Sequence, residues 1–387
     1  MKRQQIAIFT VAFLIRALAA VGTTFTSLNP SSKADAVVFG DTAEKIAQGL
    51  REGQPYLYTS GSVDPFQWLF PLASVDIYTL WGTFLAPFWL LPGPSGLYVR
   101  LANAFLGAFA VYNVYHIAYY YHSHHAGVVA SVPMIFYPSF VAVHSTVLRD
   151  PFILFGITAV SRILMLPSKR RTQLFYYGFS ALILHVSLLL RDDNVVIYAV
   201  AITAVLIMYA FQSGYLSKEA LSLGIFISPL AFIISLPIVQ DAIEFLAYIR
   251  EVRAGGRAVY LPDVIPQTVS QLAAFSWVGA AYFLYAPFPW MIQTIPDLIV
   301  SFEGIVSIVF TLSAARGVRS LAKKKASATT GLVVGLVVAV VLYGVGTVNY
   351  GTGMRHRQMF LWVIFLFGGI GISEYVRFVW PFEKVQI

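Results

Sequence analysis

Apolar runs of about twenty residues, the length that crosses a bilayer as a helix, alternate with short polar stretches along almost the whole chain. Ten of them read as crossings: residues 6–26, 97–121, 127–143, 151–166, 174–190, 195–211, 221–239, 298–314, 332–345 and 359–372. Two further apolar stretches, 66–91 and 268–284, are flanked or broken by Pro71, Pro87, Pro92 and Pro287. They read as re-entrant or peripheral helices, and if both cross after all the count rises to twelve. One polar stretch has helical spacing of its own. Phe39, Ala43, Ile46, Ala47 and Leu50 repeat at three- and four-residue intervals, which predicts an amphipathic helix lying on the membrane in the first loop, residues 27–65.

Basic residues orient the crossings. Lys2 and Arg3 before the first run, Ser168-Lys-Arg-Arg171, and Arg316, Arg319 and Lys323–Lys325 all mark cytoplasmic ends. Both termini are then cytoplasmic, in a multi-pass protein of the cell membrane. On that topology every acidic residue except Glu219, Glu374 and Glu383 stands at or beyond the outer ends. Acids contribute little to orientation, so their excess on one face points to use rather than targeting. Arg16, inside the first run, is expected to snorkel or to pair within the bundle, with a ligand phosphate as the alternative partner.

The composition agrees. Of 387 residues 58% are hydrophobic and only 11% charged, against about a quarter charged in soluble domains. The net charge of +8 sits in short loops and is read as topology, not as a nucleic-acid surface. The absence of cysteine excludes disulfides, thiolate catalysis and cysteine metal sites. His122, His124 and His125 lack a neighbouring acid, so a cytoplasmic turn is preferred to a metal site there. With no internal repeat, the chain reads as one integral-membrane domain, residues 1–387.

Four polar clusters fall on the expected outer face: Asp35 with Asp41, Arg149-Asp150, Arg191-Asp192-Asp193, and Arg355-His356-Arg357. The last lies in 349–358, read as a hairpin between two crossings, and 240–267 is a second outer loop. A carboxylate can deprotonate an acceptor hydroxyl, and guanidiniums can hold a phosphate leaving group. For Asp35 the plainer role is a helix cap, and for Asp41 a solvated surface position. No Gly-rich phosphate loop and no Asp-x-Asp is present, so a donor already in the membrane is expected.

Six stretches carry a family resemblance: Asp35-Ala-Val-Val-Phe39, Arg100-Leu-Ala-Asn-Ala-Phe-Leu-Gly-Ala108, Leu148-Arg-Asp-Pro151, Leu190-Arg-Asp-Asp-Asn194, Pro287-Phe-Pro-Trp290 and Asn349-Tyr-Gly-Thr-Gly-Met-Arg-His-Arg357. In order and spacing the chain resembles the GT-C superfamily of membrane glycosyltransferases, especially the branch similar to dolichyl-phosphate-mannose protein mannosyltransferases. The resemblance implies an all-α, GT-C-like bundle that moves a sugar, with inversion, from a polyprenyl-phosphate donor to a glycan, lipid or protein acceptor. It implies a catalytic aspartate at Asp35, with Asp41 the competitor, a second acidic position at Asp150, and contacts to the lipid phosphate at Arg355 and Arg357. Arg149, Arg191, Asp192, Asp193, Arg355, His356 and Arg357 become substrate- or phosphate-binding candidates. No cofactor is implied beyond the lipid-phosphate sugar itself, and a divalent metal is not indicated. Alanine follows Asp35 where many relatives pair two acids, and the chain carries no Trp-Trp-Asp motif. The rival readings are a transporter or flippase of a lipid-linked saccharide, and a polysaccharide polymerase or ligase.

Overall fold

The computed structural model describes residues 2–26, 33–53, 77–167, 170–217, 240–241 and 243–376. Among these the fold is all-helical, without a strand. Six helices are long and apolar enough to cross a membrane, or seven if one bent pair counts as a single span. The chain is accordingly a helical membrane protein. The expected crossing at 221–239, residues 66–76 of the peripheral stretch and the tail after 376 lie outside the described residues.

The chain divides into two compact units, one of residues 1–120 and 131–195, the other of residues 121–130 and 196–387. The first unit holds α1 (Lys2–Phe25), α2 (Lys33–Arg51), α3 (Ile77–Trp89), most of α4 (Ser95–Tyr121) and the end of α5 (His124–Phe136). It continues with α6 (Pro138–His144), α7 (Asp150–Met165), α8 (Arg170–Leu190) and a 3-10 turn, Asp192–Asn194. Half-buried phenylalanines from three helices meet on one side of it: Phe109 stands 4.8 Å from Phe9 and 6.1 Å from Phe155, centroid to centroid.

The amphipathic helix forms as α2, with Asp35 in its first turn and Arg51 in its last, both favourable to the helix dipole. Its apolar stripe meets protein. Phe39, Ala43, Ile46 and Ala47 are buried, Ile46 and Ala47 with Ala86 and Trp89 of α3. Gly82 permits the contact, because a Cβ there would come within 2.8 Å of the Thr42 side chain. Leu50, Val37 and Val38 remain exposed.

The expected single crossing at 127–143 is broken. α5 and α6 meet at 66°, where Pro138 opens the second helix and cannot donate back to the first. Residues 151–166 and 268–284 do form helices, α7 and α10 (Val269–Tyr285), but both fall short of spanning length.

The second unit contains α9 (Val195–Gln212), a helical stretch 243–253, α10, α11 (Ile295–Gly346) and α12 (Tyr350–Tyr375). At 1.5 Å per residue a straight α11 would run about 78 Å, more than twice the hydrocarbon core. It is interrupted at Lys325 (φ −149°, ψ 68°), inside the basic cluster that the sequence reads as a cytoplasmic end. The expected crossings 298–314 and 332–345 are its two arms. Glycines bring the helices of this unit together. A Cβ at Gly317 would collide with the Phe367 carbonyl, one at Gly371 with the Ser313 carbonyl, and one at Gly279 with the Gly344 carbonyl at 2.6 Å.

The expected hairpin at 349–358 is helix. Asn349 caps α12 by accepting from the backbone N–H of Gly351 at 2.8 Å and Thr352 at 3.4 Å. This capping side chain outweighs Gly351 and Gly353, whose spacing had suggested a turn. The arginines of this stretch therefore stand on a regular helix.

Candidate functional site

The first unit gathers three of the four predicted clusters. Asp35, half-buried, occupies the first turn of α2, one turn before Phe39. The Arg149 guanidinium lies 6.0 Å from the centre of the Phe39 ring, a cation over an aromatic face. The next residue, Asp150, opens α7, where a carboxylate suits the helix N-terminus. Arg191 Nη1 donates to Asp150 Oδ1 at 3.0 Å, and both side chains are buried. Three segments distant in sequence, the start of α2, the entry to α7 and the residue after α8, thus deliver a carboxylate, a half-buried guanidinium and a buried ion pair. Asp41, Asp192 and Asp193 point to solvent, and Asp192 Oδ1 accepts from the Asp193 backbone.

A buried connector holds Arg149 in place. Residues 145–148 join α6 to α7 without regular structure, yet all four are buried. Buried carbonyls need donors, and these four receive them from side chains of other helices. Thr23 of α1 shares its one hydroxyl hydrogen between Ala20 O at 3.2 Å and Ser145 O at 3.4 Å, and Trp81 of α3 donates through Nε1 to Val147 O at 2.8 Å. Asn103 of α4 donates through Nδ2 to Thr146 O at 2.7 Å and to Leu148 O at 2.8 Å. Just upstream, Arg16 Nε donates to His144 Nδ1 at 3.1 Å, with both side chains fully enclosed. The expected pairing of Arg16 inside the bundle is thus to a neutral imidazole and to the backbone carbonyls of Ala12 and Met134. The sequence offered one trace of this frame. Asn103 sits in the Arg100–Ala108 stretch, but nothing local says which backbone it meets.

The fourth cluster belongs to the second unit. Arg355 is half-buried on α12, while His356 is buried with its ring 5.2 Å from that of Tyr343. Arg357 is 2% exposed and donates through Nη1 to Leu284 O at 3.0 Å and Ala286 O at 2.7 Å. It closes the C-terminus of α10, where carbonyls lack helical partners and a cation is favoured. Of the two arginines proposed from sequence to face a phosphate, Arg357 is engaged by the backbone.

Two arginines of the 240–267 loop are also committed. Arg250, wholly buried over the Phe275 ring, donates to the carbonyls of Leu261, Val264, Val345 and Thr347. Burial pulls its pKa below the usual guanidinium value. Arg257 forms a two-pronged pair with Asp297, at 2.6 and 3.2 Å, and Tyr350 donates to the same carboxylate at 3.0 Å. Asp297 meanwhile completes the capping box of α11 with Thr294.

His122 faces Glu374 at 3.6 Å and lies 3.4 Å from the Ser373 hydroxyl. Among the described residues no group of three or more His, Asp or Glu side chains could hold a metal. What the first unit can do chemically is accept a proton at Asp35 and meet an anion at Arg149. No family model, no curated protein and no solved structure matches the chain.

Proposed function

We propose that the chain is a membrane glycosyltransferase that takes a sugar from a polyprenyl-phosphate donor and passes it to a hydroxyl acceptor at the outer membrane face. Asp35 is the general base. It removes the acceptor hydroxyl proton as the acceptor oxygen attacks the anomeric carbon. The bond from that carbon to the phosphate oxygen breaks, and polyprenyl phosphate leaves with the electron pair. A single displacement inverts the anomeric centre. Arg149 meets the charge growing on the leaving phosphate, where a guanidinium fork matches phosphate geometry. The Asp150–Arg191 pair keeps a second carboxylate neutralised beside Arg149, so that it does not repel the phosphate.

The observation that carries this reading is the convergence in one unit of Asp35's helix, Arg149 over Phe39, and the Asp150–Arg191 pair. The many apolar helices supply the setting that a lipid-borne donor requires.

The broken pair α5 and α6 favours a second reading, transport of a lipid-linked saccharide, because discontinuous helices line many transporter sites. One experiment separates the two. Purified protein in lipid nanodiscs is incubated with a panel of polyprenyl-phosphate sugars and short glycan, lipid and peptide acceptors. Release of free polyprenyl phosphate, with the sugar appearing on an acceptor, is expected. Intact donors across the whole panel, with donor translocation in proteoliposomes, would replace this reading with the transporter.

A further inference from the structure

Four successive backbone carbonyls, at residues 145–148, are held by side chains from three helices. Asn103 alone grips two of them, giving both hydrogens of one amide to the carbonyls on either side of Val147. Its neighbours on the same helical stripe serve the same region. Arg100, one turn earlier, donates to the hydroxyls of Thr23 and Thr24 at 3.2 and 3.1 Å, tying α4 to α1. Gly107, one turn later, lets His144 close in, because a Cβ there would stand 2.6 Å from His144 Nδ1. Positions 100, 103 and 107 therefore face one way, toward α1, the connector that ends in Arg149, and His144 just before it, and of the three Asn103 grips the connector itself.

We infer that Asn103 is the positioning residue that sets the Arg149 guanidinium for the donor phosphate, by fixing the Thr146 and Leu148 carbonyls. This rests on the reading of Arg149 as the phosphate-holding group. The Leu148 carbonyl belongs to the peptide bond that leads into Arg149, so its place determines where the arginine side chain begins. Misplacement of a catalytic group by about 1 Å can cost on the order of 100-fold in rate. An apolar residue at 103 would fill the space and leave two buried carbonyls without donors. The connector would then open to find water.

The test uses the full chain in nanodiscs, comparing wild type with Asn103→Leu, of similar volume but without donors, and Asn103→Ser, which keeps one donor. Backbone hydrogen exchange is expected to rise about tenfold or more in Asn103→Leu, confined to residues 145–149. Unchanged exchange, or a rise spread evenly over the first unit, overturns the inference. In the donor assay kcat per folded protein is expected to fall about 100-fold in Asn103→Leu and less in Asn103→Ser, with KM for the acceptor unchanged. Placed on an Arg149→Ala background, Asn103→Leu should cost little more, because both changes remove the same phosphate contact. Full additivity would show that Asn103 acts elsewhere. If Asn103→Leu does not fold, normal kcat in the folded Asn103→Ser protein overturns the inference by itself. Wild type that releases no polyprenyl phosphate from any donor refutes the glycosyltransferase reading and the positioning role with it. An active wild type with a fully active Asn103→Leu refutes the positioning role alone.

Discussion

Arg191 and Asp150, 41 positions apart in sequence, meet at 3.0 Å with neither side chain more than 4% exposed. Taking one partner from a buried pair leaves the other charge in a poor solvent, at a cost of about 3–5 kcal/mol. Asp150→Ala is therefore expected to destabilise the folded protein by about that much. The double variant Asp150→Leu with Arg191→Met should recover most of the loss, because it buries no lone charge. Unfolding in mixed detergent micelles measures both. A single variant as stable as wild type would mean that the pair is not closed in the membrane.

Glycine contacts between α11 and α12 give a sharper steric test. At Gly317 and Gly371 an added methyl would run into the backbone carbonyl of the facing helix, which cannot swing aside. Gly317→Ala and Gly371→Ala are each expected to cost about 1–3 kcal/mol or more as the helices are forced apart. A methyl added at Gly22 would meet nothing within 4 Å among the described residues, so Gly22→Ala should be neutral or stabilise by about 0.5–1 kcal/mol. Thermal unfolding monitored by size exclusion in detergent ranks the three. Equal midpoints would contradict close packing of the two helices.

Tyr260 supplies a pH test. Its hydroxyl is buried with no hydrogen-bond partner among the described residues, and its ring stacks on Tyr282 at 4.9 Å. Desolvation raises its pKa above the usual value near 10, although Arg250 and Arg357 pull it down. Below that usual value the folded and unfolded states both hold the proton, and stability is unaffected. As pH rises past it, the unfolded state releases the proton while the folded state keeps it, so stability falls. Tyr260→Phe removes the titration and an unpaired buried hydroxyl together. The variant is expected to match or exceed wild type at neutral pH and to lose less stability between about pH 9 and about pH 11. A wild type and variant that decline in parallel would place the hydroxyl in contact with water.

The helices were legible in the sequence because each apolar run answers to the bilayer, whatever its neighbours are. The expected 97–121 became Ser95–Tyr121, and 174–190 became Arg170–Leu190. The errors arose where a local side chain decided the backbone. Asn349 turns an expected hairpin into a helix start, and Pro138 bends an expected straight span. The site was only half legible. Asp35, Arg149, Asp150 and Arg191 announce themselves as charges in an apolar chain. Their frame does not: Trp81, Asn103 and Thr23 are ordinary residues of membrane helices, and only the fold shows that they hold four buried carbonyls. Arg357 shows the converse, since a conspicuous charge turns out to close the end of a neighbouring helix.

The general base is the claim on which the chemistry turns, and replacing Asp35 with asparagine keeps the shape while removing the proton acceptor. The decisive measurement is the rate of polyprenyl phosphate release from a lipid-phosphate sugar by purified wild type, Asp35→Asn and Asp41→Asn, each verified as folded. The expected result is a fall of about 100-fold to 10,000-fold for Asp35→Asn, typical of a lost general base, with Asp41→Asn near wild type. Full activity in both aspartate variants would contradict the assignment.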